Sequence, residues 1–164
     1  MGTVPTFTTG TAATQSDLAW WIQSRPLFYG TQTTAQTSVA SGTWTAVNLQ
    51  STLIDRDSGH VGTSGRYTLL TLGKYLVSGM VAFAGAGGTT RQARFVRNGT
   101  VVDGSLVDLP LVGSVGVVIP PVPVIATNVT DYVELQCYHD AGSALSLAVS
   151  QGYLSQMLVQ FAGS

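Results

Sequence analysis

Asp55, Asp57 and His60 are the strongest candidates for chemistry, because three potential metal ligands fall within six residues of a glycine-containing stretch. Carboxylate oxygens two residues apart suit a hard cation such as Ca²⁺, but a calcium loop needs six or more oxygen ligands. The alternative is a polar turn in which the aspartates accept hydrogen bonds from nearby backbone N–H groups. The sequence leaves both interpretations open, and it predicts no cofactor.

Nucleophilic catalysis has little support in the sequence, since it needs a nucleophile, an adjacent base and an orienting group. His60 and His139 are the two imidazole bases, and no Gly-x-Ser-x-Gly turn is present. For His139 the alternative to a catalytic base is a solvent-facing residue at a strand end. Glycine-rich phosphate-binding motifs are also missing. We therefore predict that the protein is not an enzyme.

Charged residues are scarce: they make up 9% of the 164 residues. The formal net charge of the chain is −1. Arg91, Arg94 and Arg97 form a local basic cluster, but on a strand Arg94 would face away from the other two. We expect these arginines to pair with Asp103 or Asp108 across the following hairpin. Without a basic field, neither nucleic acid nor an anionic membrane is a predicted partner.

The elements that must position these residues are short strands separated by turn residues. Lys74–Ala84 is apolar on both faces, which is typical of a central strand covered on both sides. Asn98-Gly99 is the strongest hairpin signal. Tyr132–His139 alternates, with Val133, Leu135 and Cys137 predicted to face inward. Eight to ten such strands predict an all-β antiparallel sandwich or barrel.

Residues 1–30 differ from the rest and are predicted to form an N-terminal arm with a short helix, ahead of a β domain at 31–164. Thr14-Gln15-Ser16-Asp17 has the form of a capping box. Pro26 ends the helix, because the residue before a proline avoids the α region.

The arm carries the residues predicted to dock onto a partner. Trp20 and Trp21 are adjacent on the helix, so they cannot both face the same surface, and one of them stays available for a partner. Tryptophan is enriched at the energetic centres of interfaces. The alternative is that both rings fold back onto their own subunit. The predicted docking residues are Phe7, Leu18, Trp20 and Trp21.

The order of four motifs resembles the tumour necrosis factor/complement-head jelly-roll superfamily. Gly73–Ser78 is similar to that family's Gly-x-Tyr-x-hydrophobic-Ser strand, and Asn98-Gly99 to its Asn-Gly turn. Val129–Leu135 is similar to its Gly-Asp-x-Val-x-Leu strand, with Thr130 in place of the glycine, and Ser155–Phe161 to its closing strand. The resemblance spans residues 33–164. It implies a two-sheet antiparallel jelly-roll sandwich and a tight homotrimer.

Four aromatic residues of this region are candidates for a buried contact. The sequence leaves open whether each lies in the core between the two sheets or between subunits of the trimer. These residues are Tyr75, Phe83, Tyr153 and Phe161.

The N-terminal part resembles small virion proteins of tailed phages that infect actinobacteria. Phe7–Gly10 and Thr14–Leu18 are similar to the opening of those proteins. Asp55–His60 resembles their Asp-x-Asp-Gly-x-His stretch, with the glycine shifted by one position. This resemblance implies a location in the virion and a role as a capsid decoration protein or as a minor tail or fibre component.

The combined expectation is a homotrimeric decoration protein that docks on the major capsid protein and stabilises the shell. The alternative is a minor tail or fibre head whose loops bind a host-surface glycan. Under the first hypothesis, removing residues 1–30 leaves a soluble trimer that no longer binds capsids.

Overall fold

The computed structural model describes residues 14, 15, 27–110, 114–150 and 153–164, which form an antiparallel two-sheet sandwich. The all-β prediction is confirmed. The strands are β1 (Leu27–Thr31), β2 (Gln36–Val39), β3 (Thr45–Ala46), β4 (Ser51–Asp55), β5 (Arg66–Thr68), β6 (Gly73–Ala84), β7 (Arg91–Arg97), β8 (Thr100–Val101), β9 (Val107–Leu109), β10 (Val115–Ala126), β11 (Tyr132–His139), β12 (Leu145–Leu147), β13 (Val149–Ser150), β14 (Tyr153–Leu154) and β15 (Gln156–Gly163).

Seven strands form sheet I, in the order β2-β12-β6-β15-β1-β4, with β10 on the other side of β6. Six strands form sheet II, in the order β3-β11-β7-β8, with β5 also on β11 and β9 also on β7. β13 and β14 form a separate pair. Strand β6 is central, as predicted, because it is paired along both edges. Its outer face, which was predicted to be covered, leaves Leu76 41% exposed. Among the described residues, no helix has the length and apolarity to cross a membrane.

The core lies between the two sheets and contains inward-facing side chains from both. Val133, Leu135 and Cys137 are fully buried, as the alternation along β11 predicts. The β7–β8 hairpin turns at Asn98 and Gly99, whose φ angles of 50° and 82° are both left-handed. Two consecutive left-handed residues give the turn that matches strand twist, and asparagine followed by glycine accommodates it best.

The β domain begins before residue 31. β1 starts at Leu27 and pairs with β15 on one side and β4 on the other. Phe28 within it is fully buried, and its ring stacks on Tyr67 at 4.9 Å between centroids. Removing residues 1–30 would therefore take most of an interior strand with it, so a truncation that spares the fold must stop at residue 26.

The predicted arm falls almost wholly outside the described residues. Of its capping box only Thr14 and Gln15 are described, and both are exposed. The docking candidates Phe7, Leu18, Trp20 and Trp21 lie outside the described part, and their roles stay predictions.

The predicted arginine pairs are wrong. Among the described residues the salt bridges are Arg66–Glu134 and Arg97–Asp131, so neither Asp103 nor Asp108 pairs with an arginine. Arg91 is fully buried, and its guanidinium donates to main-chain carbonyls, whereas that of Arg94 lies on the outer surface. A loop that folds over the end of β7 encloses Arg91, which strand alternation alone could not reveal.

Candidate functional site

The loop after β4 is a polar turn centred on Asp55. The two carboxylate oxygens of Asp55 accept hydrogen bonds from the backbone N–H groups of Gly59 and His60, at 3.1 and 3.0 Å. The ring of His60 is held by the Thr52 hydroxyl at 3.0 Å and by the Ser64 carbonyl at 2.7 Å. These contacts match the turn alternative and leave no set of free ligands.

Asp57 points to a different partner, the hydroxyl of Tyr67, which donates a hydrogen bond to it. Burial raises the pKa of Asp57 above its ordinary value, although the Tyr67 hydrogen bond acts in the opposite direction. Burial also raises the pKa of Tyr67, and the bond to Asp57 adds to that effect. Within the described residues, no group of three or more His, Cys, Asp or Glu side chains is arranged to hold a metal ion. Asp55, Asp57 and His60 therefore do not converge on a metal site.

His139 is fully buried, so the prediction that it faces solvent is wrong. Its Nε2 lies 3.0 Å from the carbonyl oxygen of Val39, and its Nδ1 accepts the N–H of Ala141 at 3.3 Å. Because Nδ1 accepts an N–H and Nε2 faces a carbonyl oxygen, the contacts fit a neutral ring that carries its proton on Nε2. Both nitrogens are occupied in holding loops together at the end of β11.

The outer face of sheet I carries one exposed charge on its four central strands, Lys74 near the start of β6, and the rows beyond Lys74 are uncharged. Residues that lie directly opposite each other on paired strands share a face of the sheet. Three such rows cross β1, β15, β6 and β10, and we call them together the uncharged face. They are Leu27–Gln160–Leu76–Pro123, Tyr29–Leu158–Ser78 with Pro120 and Pro121 beside it, and Thr31–Gln156–Met80–Val118.

The uncharged face is mainly apolar, although four of its thirteen residues are Gln, Ser or Thr. Val118 is 58% exposed and Leu76 is 41% exposed, although both are large aliphatic residues. A depression of 350 Å³ lies between Tyr29, Met80, Val118 and Leu158. The Tyr29 hydroxyl donates to the Gln156 side chain at 2.7 Å, so its polar group is already satisfied. Such a surface loses little when water is removed from it.

The outer face of sheet II has the opposite chemistry, and we call it the polar face. Arg66 forms a salt bridge with Glu134 at 2.9 Å, and Glu134 also accepts from Gln136 at 2.8 Å. Gln136 in turn accepts from Arg94 at 3.0 Å, and the Arg94 guanidinium stacks 3.8 Å above the Trp44 ring. These groups satisfy one another in water, so the polar face needs no partner.

The structure divides the four aromatic candidates. Tyr75, Phe83 and Phe161 lie in the core between the sheets, where Tyr75 meets Phe161 edge-on at 5.2 Å. Tyr153 is half-buried and lies outside that core, and a Cβ built on Gly116 would contact its ring. Tyr153 thus lies on the outer side of sheet I.

Sequence reasoning missed the residues of the uncharged face, although one signal for them was present. β6 is apolar on both of its faces, and only one face of a strand in a two-sheet sandwich meets the core. Leu76 and Met80 are large apolar residues on the outward side of this strand, together with Lys74 and Ser78, and the same face continues through Leu158 and Val118. The apolar outer face of β6 therefore indicates that a second surface, besides the core, is covered by a neighbouring molecule.

Comparison with known proteins bears on the fold. No protein-family profile and no curated protein matches the sequence. Among solved structures, the globular domain of zebrafish complement 1qA matches with a TM-score of 0.61 and 12% identity, over 84% of this chain and 98% of that one. Murine APRIL at pH 8.0 matches with a TM-score of 0.60 and 14% identity, over 84% and 99%. The chain has a TNF/C1q-like jelly-roll fold. At 12–14% identity, this similarity shows how the strands of the two sheets are arranged and connected.

Proposed function

We propose that the protein is a structural homotrimer that decorates the capsid of a tailed phage. The observation that carries the assembly step is the uncharged face, a set of thirteen outward residues on four adjacent strands with no charged side chain. The trimeric state and the virion setting are supported by the resemblances described above. The polar face, with its satisfied ion pairs, is the surface suited to remain in water.

Burial of the uncharged face against copies of the same chain would be energetically favourable. Burying apolar surface is worth roughly 25 cal/mol per Å². Obligate interfaces commonly exceed about 2,000 Å² in total and resemble a protein core in composition. The uncharged face resembles a protein core in part of its composition, since exposed aliphatic side chains surround a depression that a neighbour can fill.

A closed ring of three needs two different surfaces on each subunit, because a head-to-tail contact joins unlike patches. The two sides of the uncharged face can serve as the unlike patches. Pro120, Pro121 and Pro123 lie on its β10 side, and prolines on an edge strand prevent another strand from pairing there. Their compact apolar side chains suit packing against the β1 side of a neighbour's uncharged face, where Leu27 and Tyr29 lie.

Leu158→Lys is expected to convert the trimer into monomers, because it places a charge in the middle of the uncharged face. Light scattering coupled to gel filtration should then report the 17.1 kDa of one chain instead of three times that mass. Gln92→Lys on sheet II is the matched control and should remain trimeric. A Leu158→Lys protein that stays trimeric, with an unchanged circular dichroism spectrum, would show that this face is not the interface.

Decoration would stabilise the shell by mass action, since a protein that binds only the assembled state favours that state. Three arms on one trimer raise the overall affinity through effective concentration. Immunogold labelling of intact virions with an antibody to this chain should therefore mark the head. A variant lacking residues 1–26 should remain a trimer and no longer sediment with capsids. Label on the tail would favour the tail or fibre alternative, and unlabelled virions would refute the virion assignment.

A further inference from the structure

The two ends of the sandwich differ in their loops. We call one end the arm end, formed by the loop before β6, the β7–β8 turn and the β10–β11 turn. The pairing of Gly73 with Ala126 and of Tyr132 with Thr68 places these loops together. The opposite end, the far end, is formed by the loops at residues 40–44, 85–90 and 140–144, next to the pairing of Arg91 with His139.

Large apolar side chains are exposed at the arm end. Leu72 is 50% exposed in the loop before β6, and Val129 is 49% exposed in the turn after β10. Beside them a cleft of 560 Å³ separates the β7–β8 hairpin from β10, with Val101 and Ile125 exposed on its walls. Isolated exposed aliphatic residues need no explanation, but four around one end of a domain indicate a contact surface.

The far end is built mainly from small residues, apart from Trp44, whose ring is covered by Arg94. Its described loops consist mainly of Gly, Ala, Ser and Thr, and none of the exposed large hydrophobic side chains lies in them. Residues 111–113, between β9 and β10, fall outside the described part. Asp140 fixes two of these loops to each other by accepting hydrogen bonds from the backbone N–H groups of Thr89 and Thr90, at 2.7 and 2.9 Å. The described far end is therefore polar and already tied together.

The direction of β1 shows which of its ends lies towards the arm end. Leu27 and Leu76 both pair with Gln160 of β15, and Thr31 and Met80 both pair with Gln156. Leu27 therefore lies at the same height in sheet I as Leu76, and Thr31 at the same height as Met80. Since β6 runs from the arm end towards the far end, β1 does so as well. Leu27 is therefore the end of β1 that faces the arm end of the sandwich.

We infer that the arm end, through Leu72, Val129 and the adjoining cleft, seats the trimer on an apolar, weakly charged protein surface of the particle. The inference rests on the proposed function and adds an orientation to it: the arm and the loop tips contact one surface, and the far end points away. A protein surface fits better than a lipid one, because Thr100 and Asp103 line the same cleft and offer hydrogen bonds of fixed direction.

Single-cysteine labelling tests this orientation directly. The chain has one cysteine, Cys137, which is fully buried, and burial raises the pKa of its thiol to about 12, so it contributes little background. Leu72→Cys and Val129→Cys probe the arm end, and Ala86→Cys and Ser143→Cys are the matched far-end controls. Maleimide labelling rates are compared between the free trimer and the trimer bound to purified capsids.

Binding to capsids should slow labelling at positions 72 and 129 by at least about 10-fold, because interface cores exclude solvent. Labelling at 86 and 143 should not change. Capsid-bound protein that labels freely at 72 and 129, or that is protected at 86 and 143, overturns the orientation while leaving the decoration role intact. Failure of wild-type protein to bind capsids refutes the proposed function instead. Protection at 72 and 129 by phosphatidylglycerol vesicles but not by capsids would replace the protein surface with a lipid one.

Discussion

Asp131→Asn is expected to lower the free energy of unfolding by about 1–3 kcal/mol at neutral pH, the range for leaving buried hydrogen-bonding groups without their partner. Asp131 is 3% exposed and binds the Arg97 guanidinium at 2.7 Å. It also accepts backbone N–H groups from Thr127 and Asn128, at 2.8 and 2.9 Å. Asparagine would leave Arg97 without its counter-ion.

A second conflict arises at Asn98, whose side-chain amide donates to Asp131 at 2.7 Å. The amide nitrogen of an asparagine at 131 would face this donor. Asn98 cannot relieve the clash by turning over, because its oxygen already accepts the N–H of Tyr132 at 3.0 Å. The substitution therefore loosens the β7–β8 turn from the β10–β11 turn, which together form most of the arm end.

The pH dependence follows from the direction of the Asp131 shift. Burial alone would raise the pKa of Asp131, but the hydrogen bonds from Asn128, Asn98, Arg97 and Thr127 together hold it far below its usual range. A carboxyl group with a lowered pKa in the folded state adds stability that is present above its unfolded pKa of about 3.9 and is lost as the pH falls below that value. The difference between wild type and Asp131→Asn should shrink on acidification.

Chemical denaturation at pH 7, 5 and 3, at one protein concentration, measures this difference. Asp103→Asn is the control, since Asp103 lies in an exposed turn, and it should change stability by less than about 0.5 kcal/mol. A penalty for Asp131→Asn that is the same at all three pH values would contradict the electrostatic origin and point to packing alone.

Much of the strand framework could be predicted from local sequence. β11 has the predicted limits, Tyr132 and His139, because its sequence alternates between apolar and polar residues. The Asn98-Gly99 turn was predictable because few residue pairs accept two left-handed conformations. The place of Leu27–Thr31 in the sandwich could not be predicted locally, because β1 pairs with β15 and β4, and β15 lies more than a hundred residues away.

Burial of polar residues could not be predicted in the same way. Alternation tells which residues share a face, but not which loop later covers the end of a strand. Arg91 and His139 lie opposite each other at such an end and are both fully buried. The Asp131 network joins residues more than thirty positions apart, so no local pattern indicates it. Asp55 and Asp57 had two possible roles because the direction of their side chains depends on the fold of the loop.

Phe161→Ala is expected to lower the free energy of unfolding by about 3–5 kcal/mol, the usual range for removing a buried phenylalanine ring. Phe161 is 1% exposed, and its ring meets Tyr75 edge-on and covers the backbone of Gly73. No neighbour can move into the cavity easily, because Gly73 has a φ of 137° and begins the central strand. Its backbone is fixed by pairing with Ala126.

Tyr153→Ala is the informative counterpart, because Tyr153 lies on the outer side of sheet I. In a monomeric Leu158→Lys background it should cost no more than about 1 kcal/mol, since its ring is only half-buried there. In the trimer it should make the melting temperature depend more strongly on protein concentration, as expected when an interface is weakened. Phe161→Ala should cost the same in both backgrounds. If the two substitutions behaved alike, the distinction between an intersheet core and a subunit interface would not hold, and Tyr153 would belong to the fold of the single chain.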